Sequence, residues 1–289
     1  MIILIWVALI LLACWFSWFF LQDILKHKNE LEESSWKKTA LIGFVVNFFD
    51  VLGIGAFAPQ TALLRFTGQT KDKLIPGTMN VANTLPVLIQ AIIFIRVIEV
   101  DPLTLVTMLL SATAGAVIGA RIIARLPENK IRLTMAIALL VTAGFMTANS
   151  LHWIQGSGLA TGLSGEKLVI AAIVNSALGA LMTAGIGLYA PCMALVFMLG
   201  LSPKVAFPIM MGSCAFLMPP ASFKFIKEKA YNRKAAVAMA IPGMVAVLIA
   251  AFIVKSLPID TLRIIVIGVI LYTFASMFFA VFTNKGAEK

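Results

Sequence analysis

GIGAFAPQTALL, residues 53–64, interrupts an apolar run with two glycines and a proline, and GIGLYAPCMALV, residues 185–196, writes the same interruption 132 positions later. At that one offset Gly53, Ile54, Gly55, Ala58, Pro59, Ala62 and Leu63 meet Gly185, Ile186, Gly187, Ala190, Pro191, Ala194 and Leu195. Gly68 then meets Gly200 and Pro76 meets Pro208 without a gap, and LPENKIR (126–132) matches LPIDTLR (257–263) after a slip of one residue. Apolar stretches match by chance, but ordered glycines and prolines at a single offset do so far less easily. The chain reads as an internal duplication.

Around the two breaks the sequence is 61% hydrophobic and only 12% charged over 289 residues. A soluble domain carries about a quarter charged residues, and apolar runs of about 20 residues leave no side for water, so the chain reads as a polytopic helical membrane protein. Spans are expected at 2–22, 76–98, 102–120, 131–153, 204–223, 235–254 and 261–283, with the breaks inside two further apolar stretches, 39–66 and 168–199. LLAC (11–14) sits in a run that continues to Leu21, and no basic residue precedes it, so residues 2–22 read as a retained anchor. Cys14, Cys192 and Cys214 all lie in apolar segments and make no disulfide framework.

The net charge of +10 belongs to loops and does not call for nucleic acid. If both broken stretches crossed the bilayer, Lys and Arg would divide 13 to 10 between the faces; if both fold back as re-entrant hairpins, the split is 18 to 5. Only the second is the bias that membrane insertion produces. It puts 23–38, 65–75, 121–132, 224–234 and the C-terminus on the cytoplasmic side and the N-terminus outside. Each repeat is then one hairpin plus three spans. Three is odd, so the second repeat starts on the opposite face and the halves have inverted topology. Residues 168–185 are long enough to span alone, which leaves the second hairpin open. The expected domains are an N-terminal helix and connector (1–38), repeat one (39–153), an external linker (154–167) and repeat two (168–289).

Non-helical backbone inside a membrane must line a wet cavity or a packed interior. Gly53, Gly55, Gly185 and Gly187 permit tight turns and close approach of the backbone to a ligand, and Pro59 and Pro191 suit the first position of a new helix. The N-terminus of that helix offers free N–H groups and a positive dipole end, an anion site. Between 39 and 64, and between 168 and 199, there is no Lys or Arg to do this work instead. Gln60 and Thr61 follow the first proline. Asn80, Asn83 and Thr84 share a helical face at i, i+3, i+4, either donating to a substrate or bonding neighbouring helices; Ser213, Tyr189 and Cys192 join the candidates from repeat two. Asp50, an intramembrane carboxylate with Asn47 one turn away, either carries a coupling proton or caps the turn.

Both broken motifs, each followed by a short segment (GQTKDKLIPGT and GLSPKVAFPIMMGS), resemble the TauE/SafE family, the sulfite exporters and toluene-sulfonate uptake permeases, from about residue 40 to the end. The resemblance implies duplicated membrane halves that move sulfite, sulfonates, sulfoacetate or related sulfur anions across a plasma membrane, in bacteria the inner one. Ala56-Phe57 and Leu188-Tyr189 stand where the family pattern is often richer in glycine. The expected partners are the small anion and the bilayer, with room for a homo-oligomer. No cofactor or metal is implied. The alternatives are an anion channel, which needs a continuous polar lining, and a membrane-embedded enzyme, which needs a cluster of acids, bases or metal ligands. No P-loop is present, so ATP is not the direct energy source.

Overall fold

The computed structural model describes residues 2–52, 55–95, 100–151, 153 and 158–253, and beyond these 267, 271, 274, 275 and 278. Among them are ten α-helices: α1 (Ile2–Lys26), α2 (Trp36–Val51), α3 (Phe57–Phe66), α4 (Ile75–Phe94), α5 (Pro102–Ile123), α6 (Glu128–Ser150), α7 (Gly165–Met182), α8 (Tyr189–Met198), α9 (Pro203–Lys227) and α10 (Arg233–Ile253). No strand forms among the described residues; one bridge pairs Ala160 with Leu201. Six helices are long and apolar enough to cross a bilayer: α1, α4 with its 3-10 lead from Asp72, α5, α7, the Pro208–Lys227 part of α9, and α10. The protein is therefore an all-α multi-pass membrane protein. The expected span 261–283 lies outside the described residues except for a few isolated positions, and so does Gly53.

Helix starts follow local chemistry. Asp101 caps α5, its carboxylate accepting the Thr104 N–H at 2.8 Å, and Pro102 takes the first helical position, where its missing N–H is harmless. Several hydroxyls along the helices, those of Thr113, Thr134 and Thr142 among them, turn back to the preceding turn, as Thr39 does to the Ser35 carbonyl at 2.6 Å. Bonded in this way, they bring no unpaired donor into the apolar interior.

Two sets of loops gather at the two ends of the bundle. At one end the Ser35 N–H donates to Gln69 at 2.8 Å, the Asn232 N–H to the Thr78 hydroxyl at 2.9 Å, and Arg132 to Asp72 at 2.7 Å. Arg125 pairs there with Glu228, and Arg233 bridges Asp23 at 2.7 Å and Glu32 at 2.8 Å. This end thus collects segments 23–38, 65–75, 121–132 and 224–234, with four, three, four and five of the 23 basic residues. At the other end the Asp101 N–H donates to Thr161 at 2.9 Å, the Ser202 N–H to Ala160 at 2.8 Å, and Lys167 to the Leu199 carbonyl at 3.3 Å. Helix α5 connects the two ends, its 22 residues reaching about 33 Å, and α9 runs back from Ser202 at one end to Glu228 at the other.

Packing crosses between the halves. Helix α2 lies along α10 and α7 along α5, while α4 and α9 meet in the middle. These approaches are close because small residues let backbones touch. A Cβ on Gly43 would sit 2.4 Å from the Met239 carbonyl, one on Gly179 2.1 Å from that of Ala112, and one on Gly115 1.8 Å from that of Ser176. Helix α1 stands at the rim, with Ile3, Leu4, Leu11, Trp18 and Leu25 turned outward.

Candidate functional site

Each broken stretch is a helical hairpin closed at its base. Ser35 and Gln69 tie the start of α2 to the end of α3 at the basic end; Lys167 and Leu199 tie the start of α7 to the end of α8 at the other. So the C-termini of α3 and α8 lie at opposite ends of the bundle, and their N-termini face each other in its interior. Each of these helices has ten residues. Together they make about 30 Å, the thickness of the hydrocarbon core.

The turns use glycine where no other residue fits easily. Gly55 has φ +88° and Gly185 φ +106°, left-handed backbone that a side chain would strain. A Cβ on Gly55 or Gly187 would meet no heavy atom within 4 Å, because both border a cavity. That cavity is small, about 20 Å3 counted as space open to the centre of a water, enough for one or two waters. Its walls are Asp50, Gly55, Ala56 and Phe57 from the first hairpin, Met182, Gly187, Leu188 and Tyr189 from the second, and Val87 and Cys214 from α4 and α9.

Sequence reasoning starts each new helix at its proline. The structure starts it two residues earlier, at Phe57 and Tyr189. The reason is the hydrogen-bond ladder: the Gln60 N–H already donates to the Ala56 carbonyl at 3.0 Å and the Cys192 N–H to that of Leu188 at 2.9 Å. The N–H groups free of the ladder are those ahead of the prolines, on Phe57, Ala58 and Tyr189, and not those after them. Neither Ala56 nor Leu188 brings a capping side chain of its own.

Asp50 supplies a cap at one helix only. It is 4% exposed, and its Oδ1 accepts the Ala56 N–H at 2.7 Å. Its Oδ2 lies 3.4 Å from the Tyr189 hydroxyl, which is also 3.2 Å from Oε1 of the fully buried Gln90. A carboxylate from one hairpin and a phenol from the other thus meet at the cavity.

The remaining candidates divide in two. Asn47, Asn83 and Gln60 form a buried chain off the cavity wall, one turn from Asp50 on α2 and from Phe57 on α3: Asn47 donates to Asn83 at 3.1 Å, Asn83 to Gln60, and Gln60 to the Met239 sulfur at 3.2 Å. Thr61 turns back to Phe57 at 2.9 Å, Asn80 to Pro76 at 2.8 Å and Thr84 to Asn80 at 2.7 Å, with Thr84 also 2.8 Å from Ser222. Ser213 accepts from Asn175 at 3.2 Å, and Cys192 is fully buried. None of these, nor Pro59 or Pro191, is on the cavity wall; of the sequence candidates Asp50, Gly55, Gly187 and Tyr189 are. Two signals in the sequence lead to residues not singled out. Continuing the register of Asn80, Asn83 and Thr84 by further turns reaches Val87 and Gln90, and carrying Asp50 across the offset of 132 reaches Met182.

The family model described as sulfite exporter TauE/SafE matches residues 1–146, half of the chain. The chain belongs to the TauE/SafE family. No curated protein matches it, and no solved structure does. The TauE/SafE match ends within α6, so it covers the first hairpin; the second is tied to it by the duplication. Membership makes the protein a membrane transporter of a family linked to sulfur anions. Among the described residues no group of three His, Cys, Asp or Glu side chains could hold a metal.

Proposed function

We propose that this protein is a secondary transporter for small sulfur-containing anions such as sulfite, sulfonates or sulfoacetate, working by alternating access around two re-entrant hairpins. The observation that carries this is the pair of half-helix N-termini facing one cavity from hairpins whose bases lie at opposite ends. Each such terminus is worth about half a positive charge, and two together offset a monoanion without a buried cation. A fixed lysine or arginine at that depth costs a few kcal/mol in insertion and would hold an anion harder than transport needs.

The same observations support inverted repeats, 39–153 and 168–289, joined by an external linker at 154–167. The cross-packing of α2 on α10 and α7 on α5 is what a pseudo-two-fold exchange of the halves produces, since α10 is the repeat of α5. The basic end then faces the cytoplasm, with the N-terminus outside and the C-terminus inside. The anion contacts the Gly55–Phe57 and Gly187–Tyr189 backbones, and the Asn47–Asn83–Gln60 chain with Thr61, Asn80 and Thr84 lies off the cavity wall.

The test is a panel of sulfite, thiosulfate, sulfoacetate and taurine, read as thermal shift of the purified full chain and as flux in proteoliposomes. A shift and a saturable flux for at least one of them are expected. Unsaturable, ohmic current would instead make the protein a channel, and silence across the panel would remove the sulfur-anion reading.

A further inference from the structure

The two half-helix ends are built alike in sequence but differ in charge. At α3 the Ala56 N–H is already taken by the carboxylate of Asp50. At α8 the residue 132 positions after Asp50 is Met182, which brings no charge to the cavity. We propose that Asp50 is a tethered competitor for the anion site, so that one proton must neutralise it for each monoanion the cavity admits, making the protein a proton–anion symporter. This rests on the anion-transport reading above.

The charge balance fixes the stoichiometry. Two helix ends supply about one unit of positive charge. An ionised Asp50 cancels that unit, and an anion entering beside it would meet a like charge at low dielectric. A neutral Asp50 restores the unit, which matches one monoanion and falls short for a dianion. The proton comes from the bulk solution on the side to which the cavity opens, binds a carboxylate oxygen and is released with the anion to the solution on the other side; no bond of the substrate changes. Among the described residues no other carboxylate is buried at this depth. Among the described residues Asp50 is faced by Tyr189 from α8 and Cys214 from α9. Arg65, Glu166, Lys167, Arg233 and Lys234 lie at the far ends of α3, α7 and α10, and α4 carries no titratable side chain.

The hydrogen bonds around Tyr189 give Asp50 two self-consistent states. Tyr189 has one hydroxyl proton and two acceptors in reach, Asp50 Oδ2 and Gln90 Oε1. With Asp50 protonated, Asp50 donates to Tyr189 and Tyr189 donates to Gln90, and every bond has its proton. With Asp50 ionised, Tyr189 donates to Asp50, and the Gln90 amide turns so that its Nε2, buried and otherwise without a partner, donates to Tyr189. Gln90 is the positioning residue of this relay and Tyr189 its cross-repeat link. A proton on the first hairpin thus reverses the polarity of its bond to the second.

The experiment uses the full chain in proteoliposomes with an internal pH dye, and two probes whose charge is constant from pH 5 to 8: methanesulfonate, a monoanion, and sulfate, a dianion. Wild type is expected to bind methanesulfonate over sulfate, to lose affinity as pH rises, by up to tenfold per unit, and to carry one proton inward per anion. Asp50→Asn should bind methanesulfonate with no pH dependence and carry no proton. Tyr189→Phe removes a charge-assisted bond from the ionised state and only a neutral one from the protonated state, so the pH midpoint should move up by about 0.5–1 unit. Wild-type affinity flat across the range, or uptake without protons, overturns the proposal whatever the variants do. An unmoved midpoint in Tyr189→Phe overturns the relay. If wild type binds neither probe, nor sulfite, nor taurine at any pH, the anion-transport reading itself falls, a result distinct from the others.

Discussion

Gly115 and Gly144 are both helical glycines, yet alanine should act on them in opposite directions. On α5, a Cβ at Gly115 would lie 1.8 Å from the Ser176 carbonyl oxygen of α7 and 2.6 Å from its carbon. Ordinary contact begins near 3.4 Å, so α5 and α7 must part by roughly 1.5 Å, and the obstacle is backbone that cannot swing aside. Overpacking of this kind costs about 1–3 kcal/mol, and a backbone obstacle puts Gly115 at the top of that range. Alanine returns up to about 1 kcal/mol of helix propensity, which leaves a net loss near 2 kcal/mol. At roughly 2–4 °C per kcal/mol the melting temperature should fall by about 4–8 °C. At Gly144 on α6 an added Cβ meets nothing within 4 Å, so only the propensity gain remains and the melting temperature should rise by about 1–4 °C. Tryptophan fluorescence on the full chain in micelles reads both. A Gly115→Ala protein that melts at or above wild type, or two variants that shift together, would refute the close approach of the second hairpin to α5.

Gly187→Val should fill the cavity from a position with no left-handed strain, abolishing anion-dependent thermal shift at unchanged melting temperature; a retained shift would put the anion elsewhere. In a Cys14→Ala background, Lys71→Cys and Leu159→Cys place exposed thiols at the two ends of the bundle. An impermeant maleimide applied to intact cells should label only the second, and labelling of both from one side would end the inverted arrangement. The Thr104 N–H and hydroxyl hold the Asp101 carboxyl below its ordinary value. The stability it lends is therefore complete above about pH 4 and fades as pH falls through the lowered value. The gap in melting temperature between wild type and Asp101→Asn should shrink on acidification from pH 6 to 3, and a constant gap would deny the linkage.

The outline of the fold was legible because the bilayer reduces folding to a few rules. Apolar length marked α1, α4, α5, α9 and α10, and the glycine–proline breaks marked both hairpins. The segments grouped by lysine and arginine are the ones that the Arg132–Asp72 and Arg233–Asp23 pairs draw together. The site was legible only in part. Asp50, Gly55, Gly187 and Tyr189 could be singled out because a carboxylate, a glycine or a break is conspicuous in an apolar run. Val87 and Met182 are ordinary apolar residues there, reached only by extending the Asn80–Thr84 register and the offset of 132, and Cys214 joins their wall only in the fold. The prolines misled by two residues. Proline is tolerated throughout the first turn of a helix, so it marks the turn and not its first residue.

The crossed packing of the halves also orders events in time. Gly43 and its neighbours on α2 have their partner in α10, which emerges from the ribosome about 200 residues later. At roughly 5–20 residues per second the first hairpin waits some 10–40 s for the surface that completes it. Through that interval the face around Gly43 and the Asn47–Asn83–Gln60 chain lack α10, the helix that covers them. The second hairpin has no such wait, because α5 is in place before α7 is made. Maturation is therefore staggered. The half with the buried carboxylate is made first but completed last, and a chain cut short before α10 leaves that half unfinished.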